Sequence, residues 1–431
     1  MRRRDGRDAR PQPVAGIPAL TRLRPPLPAV PPAVRPSGPG VIVALMAITS
    51  IGPLAVHLFF PLMPAVKRSF AISDAMAGLA FSLTLLTMGA VTLVYGSLSD
   101  RYGRRPVLLT GLTLFCAGCA LAALAGSVEM LLAGRILQAI GAGCGVTLAR
   151  AIARDIYGTD SLVKIVAYLT VASTLAPMVA PLLAGMLADA VGWRSVFWLC
   201  LLAGVSILLA VYRLLPETRP TEDLALQSKQ VWRNYAALLA LPRFNAFVLT
   251  SGFASGTFMS MATASAFLMQ DTLGRSATEF GGYFSLFAIG YLFGNLLCSR
   301  LTRRYSIEAL VLAGSAMQLV VILGQAAFVL SGHLTPLTIF VPGFLCTFAH
   351  GLTIPNAQVG AIRVKPHLAG TASGVGVFGQ MFLGAVFSQI YVLLADGTPN
   401  TMVIVATTGA VLTVIAGSVP WVLRKRGGRT S

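Results

Sequence analysis

Charge is what this sequence has least of. Asp, Glu, Lys and Arg together make up 11% of its 431 residues, while 55% are hydrophobic. Ordinary soluble domains carry about 25% charged residues, so a water-soluble globule is excluded. Acids are the scarcer sign, 15 against 33 Lys and Arg, and no obvious acid sits inside the long apolar runs. That removes the paired carboxylates on which much acid–base chemistry rests. The six Cys, at 116, 119, 144, 200, 298 and 346, all lie in apolar segments. Cys116 and Cys119 have the spacing of half a metal site, but no second pair or His partners them, so packing is their expected role and no disulfide framework is implied. With no metal cluster, no nucleophile–base pair and no soluble domain to hold a cofactor, neither an enzyme nor a bound metal or cofactor is expected.

What the chain does have is apolar runs long enough to cross roughly 30 Å of hydrocarbon as helices. Twelve are expected: near 41–63, 77–98, 107–126, 129–152, 162–188 and 194–215, then near 244–269, 279–299, 307–330, 335–360, 369–394 and 401–423. The fold class is therefore all-α and membrane-spanning, with two six-helix halves, 41–215 and 244–424. Residues 216–243 form the charged linker between them. Residues 1–40 hold ten Pro and eight Arg and read as a disordered basic arm drawn to anionic lipid heads; an upstream start codon is an equally plain source for them. No secretory leader is expected, since no short apolar core with a cleavage site follows the early Arg cluster. Residues 425–431 form a short basic tail.

A net charge of +18 raises the question of nucleic acid, but the placement of the bases argues against it. With both termini inside, 28 of the 33 Lys and Arg fall in the arm, alternate loops, linker and tail on one side. The other side receives Lys67, Arg68, Arg194 and Arg275, and Arg135 lies within a span. This asymmetry predicts cytoplasmic termini.

The stretch Gly96-Ser97-Leu98-Ser99-Asp100-Arg101-Tyr102-Gly103-Arg104-Arg105-Pro106 joins spans 2 and 3 and is expected to be a tight turn at the membrane surface. On charge alone it is a basic turn that holds its loop in the cytoplasm. A faint internal repeat, Gly294 to Arg304, occupies the same place in the second half, keeping the bases and losing the acid. Ionisable groups at membrane depth are functional candidates because burying them is costly. Arg135, with Gln138 one turn on, is the clearest; about six residues inside its span, it is also within reach of the interface by snorkelling. His57 and His350 are the two membrane-depth imidazoles, the latter expected to be structural. In span 5, Pro177 and Pro181 bend the helix while Ala and Gly185 allow close packing.

Several of these patterns resemble one family. The order of Gly96 to Arg105 resembles the G-x-L-x-D-R-x-G-R-R/K loop between helices 2 and 3 of major facilitator superfamily transporters. Arg135-Ile136-Leu137-Gln138-Ala139 resembles the R-x-x-Q-G motif of proton-coupled drug antiporters, with Ala in place of Gly. The double-Pro span 5 resembles the antiporter motif of exporters, although Ser173 and Ala176 replace its usual opening. Arg154-Asp155-Ile156-Tyr157, Gly192-Trp193-Arg194-Ser195-Val196-Phe197-Trp198 and Pro355-Asn356-Ala357-Gln358 narrow the likeness to Bcr/CflA-type multidrug exporters. It covers roughly residues 41–400 and is strongest in the first half.

The resemblance implies proton-coupled export of small hydrophobic drugs across the bacterial inner membrane by a monomer, with antibiotic resistance as the readout. Gly96, Asp100, Arg101, Gly103, Arg104 and Arg105 would form the conformational switch, with Asp100 meeting the N-terminus of span 11 near Gly370. His57, Arg135 and Gln138 would serve proton coupling or substrate. Phe59, Phe60, Met63 and Phe258 are the expected pocket residues among the aromatic and Met side chains. One departure matters. The branch usually carries an embedded Asp in T-D-M-Y-x-P, and here the aligned residues are Val56-His57-Leu58-Phe59-Phe60-Pro61. A His titrates near neutral pH, so it can still exchange a proton, but protonation makes the site positive and disfavours a cationic drug. Its bland role is a hydrogen bond to its own helix. Export of an endogenous metabolite, or a transport-dead sensor, are the alternatives that the lost acid keeps open.

Overall fold

In the computed structural model the described residues are 38–218 and 228–427, so most of the basic arm, nine linker positions and the last four residues lie outside them. The helices, in chain order, are α1 (Pro39–His57), α2 (Met63–Phe70), α3 (Asp74–Tyr102), α4 (Arg104–Ala123), α5 (Val128–Ala142), α6 (Cys144–Ala190), α7 (Arg194–Leu214), α8 (Ser228–Leu239), α9 (Pro242–Phe267), α10 (Ala277–Leu301), α11 (Ile307–Leu330), α12 (Pro336–Val364), α13 (Ala369–Leu394) and α14 (Asn400–Gly427). Eleven stretches are long and apolar enough to span a bilayer alone; the twelfth is α9, which passes with α8 as a pair bent by 85°. Ser and Thr dilute the apolar content of α9.

Span 4 comprises α5 and the start of α6, and span 5 is the remainder of α6. The two meet at Gly158, whose φ of 66° and ψ of −175° suit glycine alone. Span 1 is broken rather than continuous. α1 ends at His57, Phe60–Leu62 form a 3₁₀ turn, and α2 carries on to Phe70. Pro61 and Pro64 have no N–H to donate to the preceding turn, so the helix ladder fails there. Span 2 also departs from its expected extent. It continues past Leu98 to Tyr102, and the expected eleven-residue turn shrinks to Gly103 at φ 100°. The apolar run ends at the membrane surface, but the backbone goes on bonding: Gly103 N donates to Ser99 O at 3.0 Å.

The first six spans and the last six form two helical halves. They meet where α3 packs on α13 and where the second part of α6 packs on α10. Glycine permits the closest of these approaches. A Cβ on Gly185 would lie 2.2 Å from the Ala277 carbonyl oxygen, and one on Gly281 would lie 2.4 Å from that of Pro181. The small residues of the double-Pro motif thus form part of the seam. All six cysteines are buried and unbridged, in agreement with a packing role.

Candidate functional site

The bundle has two ends. The basic end carries Arg101, Arg104 and Arg105, and the far end carries the turns near residues 71–73 and 272–276. Most of the hydrogen bonds and ion pairs that join the two halves lie toward the far end, while Ser285 Oγ donates to Met178 O (3.0 Å) nearer mid-span. Asp271 takes Lys67 at 3.1 Å and Arg68 at 2.9 Å, and Lys67 also holds Asp74 at 2.6 Å. Asp189 at the end of α6 accepts from Ala277 N (3.3 Å), Thr278 N (2.8 Å) and Thr278 Oγ1 (2.6 Å), capping α10 across the seam. Gln270 Nε2 donates to Pro61 O at 3.0 Å, and Gln389 Nε2 to Ala75 O at 3.2 Å. The molecule is closed at this end.

Beneath the closure lies a cluster of rings drawn from both halves. The broken span 1 presents His57 and Phe60 to α10. His57 meets Phe60 (centroids 5.9 Å) and Phe284 (6.3 Å), and Phe60 meets Phe81 (4.6 Å) and Phe284 (5.2 Å). Phe284 continues to Phe287 (4.9 Å) and Phe258 (6.4 Å), and Phe258 reaches His350 at 6.1 Å. His57 Nδ1 lies 2.8 Å from Pro53 O. The carbonyl can only accept, so Nδ1 carries the hydrogen and Nε2 of the neutral ring keeps its lone pair. His350 is buried, with Nε2 3.9 Å from Cys346 Sγ.

Arg135 does not snorkel to an interface. It is 1% exposed, inside the first half. Its Nη1 donates to Ala55 O (3.1 Å) and Gln138 Oε1 (2.6 Å), and the guanidinium lies 4.3 Å from the centre of the Phe59 ring. Nε approaches Ala80 O at 3.5 Å, while Nη2 has no partner. Ala55 is in the last turn of α1, so a cation sits against the carbonyl end of the broken helix, where the helix dipole favours it. Gln138 Nε2 in turn donates to Cys119 Sγ at 3.2 Å. Phe59 and Met63 are fully buried in the same half. Phe59 lies under the Arg135 guanidinium, and both side chains are packed in the core. Phe60 is buried at the seam; Phe258 is half-buried there. Phe284 and Phe287, in span 8, are more central than the expected set. A run of aromatics at 280, 284 and 287 on one helical face is the signal for them.

At the basic end Asp100 pairs with Arg104, not with the start of α13. Arg104 is buried; its Nε meets Asp155 Oδ2 at 3.2 Å and its Nη1 donates to Ser99 Oγ at 2.6 Å. The Glu217 carboxylate accepts from Arg104 N (2.8 Å) and Arg105 N (3.2 Å), capping α4. Arg105 Nη2 reaches Tyr212 O at 2.6 Å, and Arg101 lies over its neighbour Tyr102. Gly96 faces open space. Lys67, Asp74, Asp189, Asp271 and Glu217 are functional-looking residues that the sequence motifs pass over. Among the described residues, no three His, Cys, Asp or Glu side chains group as a metal would require.

Two helical halves, tied by ion pairs and a helix cap at one end, fit the architecture of a secondary transporter. The Major Facilitator Superfamily pattern matches residues 43–388, and the chain belongs to that superfamily. It is similar to multidrug resistance protein D of Escherichia coli K12, 28% identical over 380 residues that cover 87% of this chain and 94% of that one. Multidrug resistance protein MdtL of Escherichia coli is 27% identical over 247 residues, 57% of this chain and 62% of that protein. A bacterial homolog of the human lysosomal transporter Spinster, in an inward-facing and occupied conformation, superposes with a TM-score of 0.72 at 18% identity, covering 89% of this chain and 96% of that one. The last likeness concerns the fold.

Proposed function

We propose that this transporter is a Bcr/CflA-type exporter of small hydrophobic compounds, driven by protons across a bacterial inner membrane. The observation that carries the reading is the ring cluster at the seam. It packs the buried Phe60, Phe284 and Phe287 and the half-buried Phe258 from both halves around one imidazole, His57, whose Nδ1 is bonded to Pro53 O. Aromatic walls with a single polar group suit small apolar cargo of varied shape. No acid occurs at membrane depth among the described residues, so protonation here adds positive charge. The cargo is therefore neutral or weakly acidic, and cationic drugs are disfavoured. Multidrug resistance protein D, a relative of similar length, supports drug efflux as the activity.

The basic end is cytoplasmic in this reading, as the distribution of Lys and Arg favours, and the closed far end faces the periplasm. Halves 41–215 and 244–424 rock about the seam, and 216–243 tethers them. In the opposite state the far-end bonds of Asp271 and Asp189 open. Asp100 leaves Arg104 for the N-terminus of α13, with Arg101, Arg104 and Arg105 exchanging partners. Gly103 supplies the turn. Pro177, Pro181 and Gly185 keep the bearing surface against α10. Arg135 and Gln138 brace the end of α1 and so hold His57 in place.

The test uses everted membrane vesicles energised acid inside, with neutral, cationic and anionic antibiotics added in turn. Neutral and weakly acidic compounds are expected to dissipate the pH gradient, and His57→Ala to abolish the response. Dissipation that survives the substitution removes His57 from coupling. No response to any compound moves the reading to a metabolite exporter or a transport-dead homologue.

A further inference from the structure

The membrane-facing surface of the second half has a groove with no assigned role. Phe293, Leu296, Leu297 and Arg300 of α10 line it with Met317 of α11 and Phe344, Leu345 and Phe348 of α12. The α10 residues recur at helical spacing, so the groove runs about 10 Å along that helix. Its space of about 650 Å³ lies within the range of roughly 300–1,000 Å³ that small-molecule sites occupy. Phe293 and Leu296 are both more than half exposed. Everything lining the groove is apolar except Arg300, which stands at the basic end.

Arg300, Arg303 and Arg304 are exposed, and no acid pairs with any of them among the described residues. The first half differs at the matching place. There Asp100 and Asp155 hold Arg104, and Glu217 holds the backbone of Arg104 and Arg105. The second-half loop has lost that acid, and its nearest one, Glu308, is already taken by Arg243 (2.6 Å) and Arg424 (3.0 Å). Three cations beside an apolar trough, at the depth where headgroups begin, fit one chemistry: an acyl chain carrying a phosphate.

We propose that this groove binds an anionic glycerophospholipid, one acyl chain lying along Phe293, Leu296, Leu297, Phe344 and Phe348 and the headgroup phosphate meeting Arg300, with Arg303 and Arg304 beside it. The placement needs only that this surface faces lipid, and it stands independently of the cargo. Binding is read by native mass spectrometry of the purified full chain with dioleoyl phosphatidylglycerol and, separately, dioleoyl phosphatidylethanolamine. Phosphatidylglycerol adducts are expected to be retained preferentially. Arg300→Gln should weaken that retention about fivefold, the contribution of one arginine near a membrane surface. Arg300→Gln combined with Arg303→Gln and Arg304→Gln should remove the preference. Leu297→Trp, which fills the groove without touching charge, should lower retention as well. Arg101→Gln takes the same charge from the other loop and should change nothing. Equal retention of the two lipids by the native chain, full retention in the triple variant, or an equal loss in Arg101→Gln would each overturn the proposal.

Discussion

The loops after span 2 and after span 8 occupy equivalent places in the two halves, and they solve the same electrostatic problem in opposite ways. Both set several arginines at the basic end. In the first half the arginines turn inward: Arg104 is buried against Asp100, Asp155 and Ser99, and Glu217 caps the helix that begins there. In the second half they turn outward, and the acid that remains, Glu308, ties together the ends of α9, α11 and α14. The difference teaches where each half stores its rigidity. The first has a single buried knot at its loop. The second has a peripheral clamp between helix ends and leaves its loop to the surroundings.

Breaking the knot should have the largest effect on stability. Arg104→Ala leaves Asp155, whose side chain is 15% exposed, with only the exposed Arg154 at 3.7 Å as a cation. Removing one partner of a buried pair costs about 3 kcal/mol, and the melting temperature of the purified protein should fall accordingly. The matching change in the second half, Arg304→Ala, should stay within about 0.5 kcal/mol because that side chain is exposed and unpaired. Next in size is Gly103→Ala. At φ 100° a non-glycine residue is strained, and a Cβ there would lie 2.7 Å from Glu217 Oε2. A loss of about 2 kcal/mol is expected. Leu301→Ala, at the helical position where the second loop starts, should lower the melting temperature by less. Equal losses from these two would mean that the turn at Gly103 has no special geometry to protect.

The class and the spans were legible because apolar length writes itself directly into sequence; every expected span has its helix. The loops were legible in residue type and not in partnership. Lys67 and Asp271 are 204 positions apart, and Glu217 is 113 from Arg104, so no local spacing betrays either pair. The register of one helix against another decides such contacts, and apolar runs carry no register. The same limit hid the partners of Phe59, whose residue type suits a pocket and whose ring packs on Phe197 and Arg135 of the first half. Arg135 shows the reverse case. Its distance from the helix end left room for snorkelling, and the orphaned carbonyl of Ala55, which the sequence does not display, draws it inside.

The smallest effect is expected at the second half's own clamp, and it is the sharpest check on the comparison. Glu308→Gln keeps an acceptor of nearly the same shape and removes the charge shared by Arg243 and Arg424. Both arginine side chains are about half exposed, so solvent already screens much of the attraction. Exposed pairs contribute about 0.2–1 kcal/mol each, which puts the loss near 1 kcal/mol, below that of Arg104→Ala. Screening gives a second signature. Raising the salt concentration should shrink the gap in melting temperature between Glu308→Gln and the native chain, and should leave most of the Arg104→Ala deficit, whose cation is buried. A Glu308→Gln deficit as large as that of Arg104→Ala and indifferent to salt would show that both halves are locked from within. The outward arginines of the second loop would then be left over from a symmetric design, not released from one.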